Sequence, residues 1–525
     1  MTFVEKKAGS RDDESWIVQK FGGTSIGKYP LNVVENVIIP ATCHNRVVIV
    51  CSARSSSTKS EGTTNTLLQA YRHCLKPDFD HSKTLVQRIR TEHINAAHGY
   101  IKSPDPATKL AQEIEDECLQ TLRLLQATRT IGHGTSHIRD MIISTGERLA
   151  CYFLCALLRD RDVVSEVVDF SDIVPSNIST TVNQSFYDKV STVMAKRINC
   201  RQLDGKVPVV TGFFGPIHGG LLTGIGRGYT DFCASLVSVG LHAQELQVWK
   251  EVEGIFTADP GKVPSATMIP IISSEEASEL TFHGSEVVHH TAMRLVMHAR
   301  IRIRIKNVLN TQAAGTLVQD DWELSTPSSS LSSSPSLNAV PCLDAPRALA
   351  ITSKDKILLI NIRSAERLRP HSFFAGIFSV LDYWNLSVDL LCTSGVQVSM
   401  ALHPKVSLIT GEDEDDSELI RGDLKSAISQ LQEHGNVDLF PKRTIVSVVG
   451  KQFKRSLGVT GQIFSTLSEN GINVEMIAQG ASETSISCVI QEQYADRAVA
   501  LLHAALVTSL PPKPSVALLE ALSEV

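Results

Sequence analysis

A short apolar run, Trp16-Ile17-Val18, leads directly into Gln19-Lys20-Phe21-Gly22-Gly23-Thr24-Ser25, and that junction constrains the fold more than any other stretch. A β-rich run that ends on a lysine and a glycine pair must leave its sheet through a turn. Glycines remove the Cβ, so backbone N–H groups in the turn can close on an anion. Lys20 adds positive charge, and Thr24 and Ser25 add hydroxyl donors. This is no Walker loop, because the lysine precedes the glycines and no Gly-x-x-x-x-Gly-Lys-Ser/Thr spacing occurs. Taken alone, the pattern fits ordinary strand–turn chemistry as well as a phosphate cradle.

Downstream, short β-rich runs alternate with helical stretches, which predicts a layered α/β domain. Val47-Val48-Ile49-Val50 reads as a buried strand, and Val207 to Phe214 as another that enters a turn at Gly215-Pro216. Leu110, Ile114, Cys118, Leu122 and Leu125 make one stripe of a helix over 107–127. From Ala299 to Val308 isoleucines alternate with basic residues, which predicts a strand with one buried face and one solvated or salt-bridged face. The 525 residues carry a net charge of -6, so no global basic field attracts nucleic acid or acidic lipid. No apolar run reaches the roughly 20 residues that span a bilayer. The polar start and eleven scattered cysteines without a Cys-x-x-Cys pair suit reduced thiols in the cytoplasm. The expectation is a protein with neither nucleic-acid nor membrane partners.

Ser325 to Pro341 is rich in serine and proline and reads as a linker. Two segments of similar plan follow, each strand–helix–strand–strand–helix. The first has strands at Ile357–Ile362, 386–391 and Val396–Leu402, with a helix at 373–384. The second has strands at Ile445–Val449, 472–477 and Ile486–Ile490, with helices at 461–469 and 495–506. This repeat resembles a tandem pair of ACT domains, ferredoxin-like modules that bind amino acids. The acidic run Gly411 to Asp416 between them reads as a solvated loop.

Three clusters carry chemistry in the first domain. Ser144-Thr145-Gly146-Glu147-Arg148 reads as a carboxylate placed after a glycine turn and before an apolar helix, Leu149 to Leu158. Gly224-Ile225-Gly226-Arg227-Gly228-Tyr229-Thr230-Asp231 reads as a glycine-rich loop opening another helix, a location that favours anions. Trp249 to Pro260 reads as a strand end followed by turns. Together with Glu275 to Leu280 and Arg304 to Val308, these stretches resemble aspartate kinases of the amino-acid kinase family. The resemblance covers residues 16 to about 508 apart from the linker, and Val50 to Ser56 and Gly212 to Gly215 are worded as in the fungal type.

The resemblance implies an amino-acid kinase fold, a layered α/β/α sheet, over 16–320, with a tail at 1–15. It further implies a linker at 321–345, ACT domains at 346–440 and 441–515, and a tail at 516–525. The implied reaction is ATP-dependent phosphorylation of the L-aspartate side-chain carboxylate, feeding threonine, methionine and isoleucine synthesis. ATP with its Mg2+ is the implied cofactor, with no metal site otherwise. Lys20, Phe21, Gly22, Gly23, Lys250, Glu251, Phe256, Lys262 and Val287 fall to ATP, and Asp231 to orienting Lys20. Thr64, Glu147, Arg227, Gly228 and Thr230 fall to aspartate. Phe373, Ala375, Asp389, Ser394, Ile472 and Asn473 fall to an effector amino acid, expected to be threonine. A homo-oligomer, dimer or tetramer, paired through ACT domains is implied as well.

Structural readings stand beside these roles. Glu147 and Asp231 could cap helices, Lys250 and Glu251 could be plain surface charges, and His283, His289 and His290 lack zinc-type spacing. Three departures from the family pattern stand out. Gly261 occupies a position where many relatives carry a phosphate-contacting arginine, which implies either that Lys262 compensates or that affinity for ATP is lower. His290 replaces a proline, and Gly395 replaces the glutamate of a Ser-Glu-Val, which removes a carboxylate from the first ACT module. Rival readings are a kinase for another carboxylate or carbamate, and a catalytically silent amino-acid sensor.

Overall fold

The computed structural model describes residues 15–508, apart from 56–61, 78, 175–182, 216, 218–219, 222–224, 226–227, 285–287, 320–347, 365–369, 385, 404–423, 452, 454–457 and 480–483. The expected linker, the acidic run 411–416, Arg227 and Val287 therefore lie wholly or mainly outside the described residues. What is described falls into two compact units. One is drawn from Met1–Ile255, Pro270–Ser274 and Val287–Pro327, the other from Phe256–Ile269, Glu275–Glu286 and Ser328–Val525.

The first unit is built on an eight-stranded sheet. In chain order its strands are β1 (Trp16–Phe21), β2 (Arg46–Cys51), β3 (Ser165–Val168), β4 (Val207–Thr211), β5 (Glu245–Lys250), β6 (Ile271–Ile272), β7 (Arg302–Asn307) and β8 (Thr316–Val318). Their spatial order is β3-β4-β2-β1-β5-β7-β8-β6. All neighbours run parallel except β7 and β8. Central strands of a parallel sheet are covered on both faces, which is why Val48, Ile49 and Val50 are all buried. Near the edge the pattern changes to alternation. Ile303 and Ile305 are buried, while Arg304 pairs with Glu245 at 2.9 Å and the Lys306 ammonium lies 5.0 Å from the Trp249 ring.

The helix Pro104–Ile131 buries Leu110, Ile114, Cys118 and Leu125, the stripe its sequence announces. It packs beside the helix Ser136–Arg159, whose Thr135 hydroxyl caps the Ile138 N–H at 3.2 Å. Among the described residues this helix alone is long and apolar enough to cross a membrane, and 83% of its apolar window is buried inside the protein. It is a core helix, and it corrects one expectation. No turn precedes Glu147, because Gly146 and Glu147 sit in the middle of a 24-residue helix. Gly146 serves close packing: a Cβ there would lie 2.9 Å from the Ala53 Cβ and 3.2 Å from Thr63 Cγ2.

The second unit holds one six-stranded sheet of β9 (Ala348–Ser364), β10 (Val388–Ser394), β11 (Gln397–Leu402), β12 (Gly435–Gly450), β13 (Met476–Gln479) and β14 (Ser485–Gln491). Its order is β10-β11-β9-β12-β14-β13. Two ferredoxin-like modules can be traced within it, and they share their long central strands. The later part of β9 pairs with β11 and with residues 435–440 of β12, while its first part pairs with residues 445–450. The second module therefore takes its edge strand from residues 348–354, ahead of the first module in the chain. The helices Pro370–Tyr383, Val459–Glu469 and Ala495–His503 cover two apolar clusters on the sheet. β10 and β13 begin later than expected, at Val388 and Met476.

Candidate active site

β1 is held in register between β2 and β5, with Phe21 opposite Cys51 on one side and Trp249 on the other. Phe21 is fully buried and stacks on Trp249 at 6.3 Å, so its ring belongs to the core and only its backbone can serve a ligand. Lys20, 7% exposed, reaches the helix Tyr229–Gly240, where its ammonium meets Asp231 at 2.6 Å. Burial would push the Asp231 carboxyl up, but the Lys20 charge, followed by that of Lys250, holds it below its ordinary value. Asp231 is no N-cap, since that position belongs to Gly228. A Cβ on Gly228 would meet the His289 ring at 2.5 Å, so packing alone requires that glycine.

The glycines at the end of β1 have different reasons to be glycine. A Cβ on Gly23 would fall 2.0 Å from the Ala53 carbonyl oxygen, and one on Gly27 would fall 1.8 Å from that of Ser55. The turn and the loop 52–55 are pressed together, and the Ser55 N–H donates to the Gly23 carbonyl at 3.0 Å. Gly22 is different. Its φ of -72° and ψ of 157° suit any residue, and a Cβ there would meet nothing closer than 3.9 Å. Nothing among the described residues demands glycine at this position, whereas a phosphate approaching the backbone would. Next to the turn, the buried Ser25 hydroxyl donates to Glu251 at 2.7 Å, and this tethers the end of β5 to the start of the first helix, Gly23–Lys28.

Opposite the turn stands Glu147, 1% exposed, whose Oε1 accepts from the Thr230 hydroxyl at 3.1 Å. Burial pushes its carboxyl up to about 8, against the weaker pull of the Tyr229 and Thr230 hydroxyls, the Phe213 N–H and the Lys20 charge. The next residue anchors the helix. Arg148 bonds Glu117 at 2.9 Å, Ser144 Oγ at 2.8 Å and Thr145 Oγ1 at 3.2 Å, and this pins the Glu147 backbone against the neighbouring helix. Between Glu147 and the glycine turn lies a cavity of about 180 Å³ lined by Gly23, Thr24, Arg54, Thr64, Glu147 and Tyr229, among others. A carboxyl at one wall and a bare backbone at the other suit a small ammonium-bearing molecule held beside a phosphate.

The structure thus brings together Lys20, Gly22, Gly23, Thr64, Glu147, Gly228, Thr230 and Asp231 in the first unit, with Lys250 and Glu251 at the end of β5. Phe256 and Lys262 fall in the second unit. The Lys262 ammonium bonds Ser353 at 3.0 Å, Asp355 at 3.0 Å and Asp496 at 2.9 Å. Of the expected effector residues, Phe373 and Ile472 are buried in separate apolar clusters, and Asp389 pairs with Lys354 at 2.8 Å. Ala375, Ser394 and Asn473 are exposed. Sequence reasoning missed Arg54, Ser52 and Tyr229 as cavity residues; Arg227 drew attention because it stands between glycines, a signal that Arg54 lacks.

Residues 15–307 match the amino acid kinase family and residues 446–506 match the ACT domain. The chain is 42% identical over 511 residues to the aspartokinase of Schizosaccharomyces pombe, covering 97% of this chain and 96% of that one. It is also 42% identical to the aspartokinase of Saccharomyces cerevisiae, covering 94% and 93%. Among solved structures, E. coli aspartokinase III in complex with aspartate and ADP is similar with a TM-score of 0.72, 24% identity and coverage of 93% and 99%. The same enzyme in complex with lysine and aspartate gives a TM-score of 0.69 at 22% identity, covering 94% of this chain and 99% of that one. At these identities the two structures speak for the fold.

Proposed function

From the premise that the chain belongs to the aspartokinases of the amino-acid kinase family, we propose that the cavity between the glycine turn and Glu147 is where L-aspartate meets the γ-phosphate of ATP. The chain is an aspartate kinase. The reacting group is a carboxylate with an ordinary pKa of about 3.9, so it is already ionised at neutral pH and needs no general base. One of its oxygens attacks the γ-phosphorus, the bond to the β-phosphate oxygen breaks, and 4-phospho-L-aspartate and ADP leave. The obstacle is repulsion between two anions.

Lys20, oriented by Asp231, and the backbone N–H groups around Gly22 and Gly23 supply fixed positive potential where charge shifts. Mg2+ arrives with ATP and supplies further charge neutralisation. Glu147 releases its proton to solvent and, ionised, accepts from the substrate ammonium, Thr64 adds a hydroxyl, and Arg227 takes the α-carboxylate. Thr230 and Gly228 shape the loop around it. Lys250, Glu251 and Val287 serve the nucleotide side. The observation that carries this reading is the open face of Gly22 set near a buried carboxyl and a buried ammonium–carboxylate pair.

The ACT modules bind an effector amino acid, threonine in our reading, at Phe373, Ala375, Asp389, Ser394, Ile472 and Asn473, and they pair copies of the chain into a dimer or tetramer. The bacterial enzyme bound to lysine and aspartate supports an amino-acid effector in this fold. The reaction opens the route to threonine, methionine and isoleucine. The test is MgATP turnover with L-aspartate, trapping the acyl phosphate with hydroxylamine, with and without threonine. Aspartate-dependent hydroxamate that threonine suppresses supports the reading. Hydroxamate formed equally well from other amino acids, or unaffected by saturating threonine, overturns the corresponding part.

A further inference from the structure

We propose that Arg54 is a further substrate-binding residue, whose guanidinium takes an oxyanion of the substrate pair held in the cavity. This rests on the reading that the cavity is the meeting place of aspartate and the phosphoryl group. Arg54 follows the end of β2 in the loop pressed against Gly23, and its carbonyl accepts from the Thr63 hydroxyl at 2.7 Å and the Thr63 N–H at 3.2 Å. It therefore joins the phosphate turn to the Thr64 side of the same cavity.

Arg54 is 9% exposed, yet no carboxylate among the described residues forms an ion pair with it, and its Nε is buried without a hydrogen-bond partner. Glu92, half-exposed, reaches it only through its longer-range field. The Phe153 ring at 5.0 Å offers a partial cation–π contact. His93, fully buried close by, bonds the Ile89 carbonyl at 2.8 Å and leaves Nε2 unpartnered. Burial, with the Arg54 charge second, pushes that imidazole down to about 4, so it is neutral and contributes no counter-charge.

An interior cation without an anion is costly, and most proteins pair one or leave it out. At this site the other deeply buried cation, Lys20, is already balanced by Asp231 at 2.6 Å. Even with Mg2+ on the triphosphate and Arg227 on the α-carboxylate, aspartate and MgATP bring net negative charge that the balanced pair does not meet. The unbalanced charge of Arg54 fits the excess, and a guanidinium presents a fork that suits two oxygens of a carboxylate or a phosphoryl group alike. The apo enzyme carries the cost and the bound substrate relieves it.

The experiment compares Arg54→Met, Arg54→Lys and Glu147→Gln with the parent, in steady-state kinetics against both substrates and in melting with and without L-aspartate or MgATP. Arg54→Met is expected to lower kcat/KM by ~100-fold or more, the scale of losing one preorganised charged donor. A rise confined to the KM for aspartate marks the oxyanion as a carboxylate; a fall in kcat or a rise in the KM for ATP marks it as phosphoryl. Without ligands Arg54→Met should melt no lower than the parent, and it should lose the stabilisation that the matching ligand gives. Arg54→Lys, which keeps the charge and the fold, should lose ~10-fold. Parent-like kinetics in both Arg54 variants, or a lower ligand-free melting temperature with parent-like kinetics in the folded protein, overturns the proposal. If Glu147→Gln is also parent-like, the reading of the cavity fails with it; if only the Arg54 variants are, this inference fails alone.

Discussion

Glu147 gives a pH dependence that can be worked out beforehand. Its carboxyl moves from an ordinary 4.5 to about 8 in the folded protein because the side chain is buried. That shift corresponds to about 5 kcal/mol between protonation states. The folded state keeps a proton that the unfolded state gives up, so the stabilising contribution is full below the ordinary value and is lost as pH rises through about 8. About 4 kcal/mol of it falls between pH 5 and pH 9. Glu147→Gln removes the titration and keeps the shape. In urea or thermal unfolding across this range, the parent should lose about 4 kcal/mol relative to the variant, or roughly 5 °C in melting temperature. The same group leaves a kinetic signature, because ionised Glu147 pairs with the substrate ammonium far more strongly than the neutral acid does. The parent kcat/KM for aspartate should rise with pH up to about 8, and this limb should be missing in the variant. Parallel stability curves for the two proteins would refute the assignment of a buried, protonated carboxyl.

Gly22 and Gly23 should respond in opposite ways to alanine. Gly23→Ala drives a Cβ to 2.0 Å from a backbone oxygen and should cost about 3 kcal/mol in unfolding measurements, whereas Gly22→Ala should leave stability within about 0.5 kcal/mol and raise the KM for MgATP by ~10-fold. Destabilisation by Gly22→Ala with an unchanged KM would remove the cradle. Lys262→Met breaks the contacts with Asp355 and Asp496, whose side chains are 38% and 72% exposed, so screening should limit the loss to about 1 kcal/mol in thermal unfolding. A loss several times larger would mean that the three groups act as a buried unit. Asp389→Ala removes the partner of Lys354 and an expected effector contact, and should weaken threonine inhibition while leaving kcat in place. Unchanged inhibition would exclude Asp389 from the effector site.

Much of the architecture was legible because periodicity reports burial. The isoleucines of β7, the Leu110–Leu125 stripe and the apolar run of β2 each predicted the face that is buried. Gly146 misled because a glycine beside a charged residue reads as a turn, whereas here it lets two elements approach closely inside a long helix. That distinction depends on Ala53 and Thr63, which lie far away in the chain. The shared strands of the second unit were hidden for a similar reason: residues 348–354 gain their strand state from residues 445–450 of the second module, far along the chain, and residues 435–440 from residues 359–364 of the first. The ion pairs of Lys262 with Asp355 and Asp496 could not be read from its position after Asp259-Pro260, because both partners come from distant parts of the chain. Arg54 escaped notice because the lack of a counter-ion among the described residues is a property of the folded interior alone.

The electrostatic account centres on one buried ammonium, and Lys20→Ala tests it most directly. Hydroxylamine-trapped acyl phosphate, measured at saturating MgATP and L-aspartate, should form ~100-fold or more slowly than in the parent, with nucleotide still bound. A folded Lys20→Ala protein that turns over at nearly the parent rate would contradict the claim that this charge joins two repelling anions.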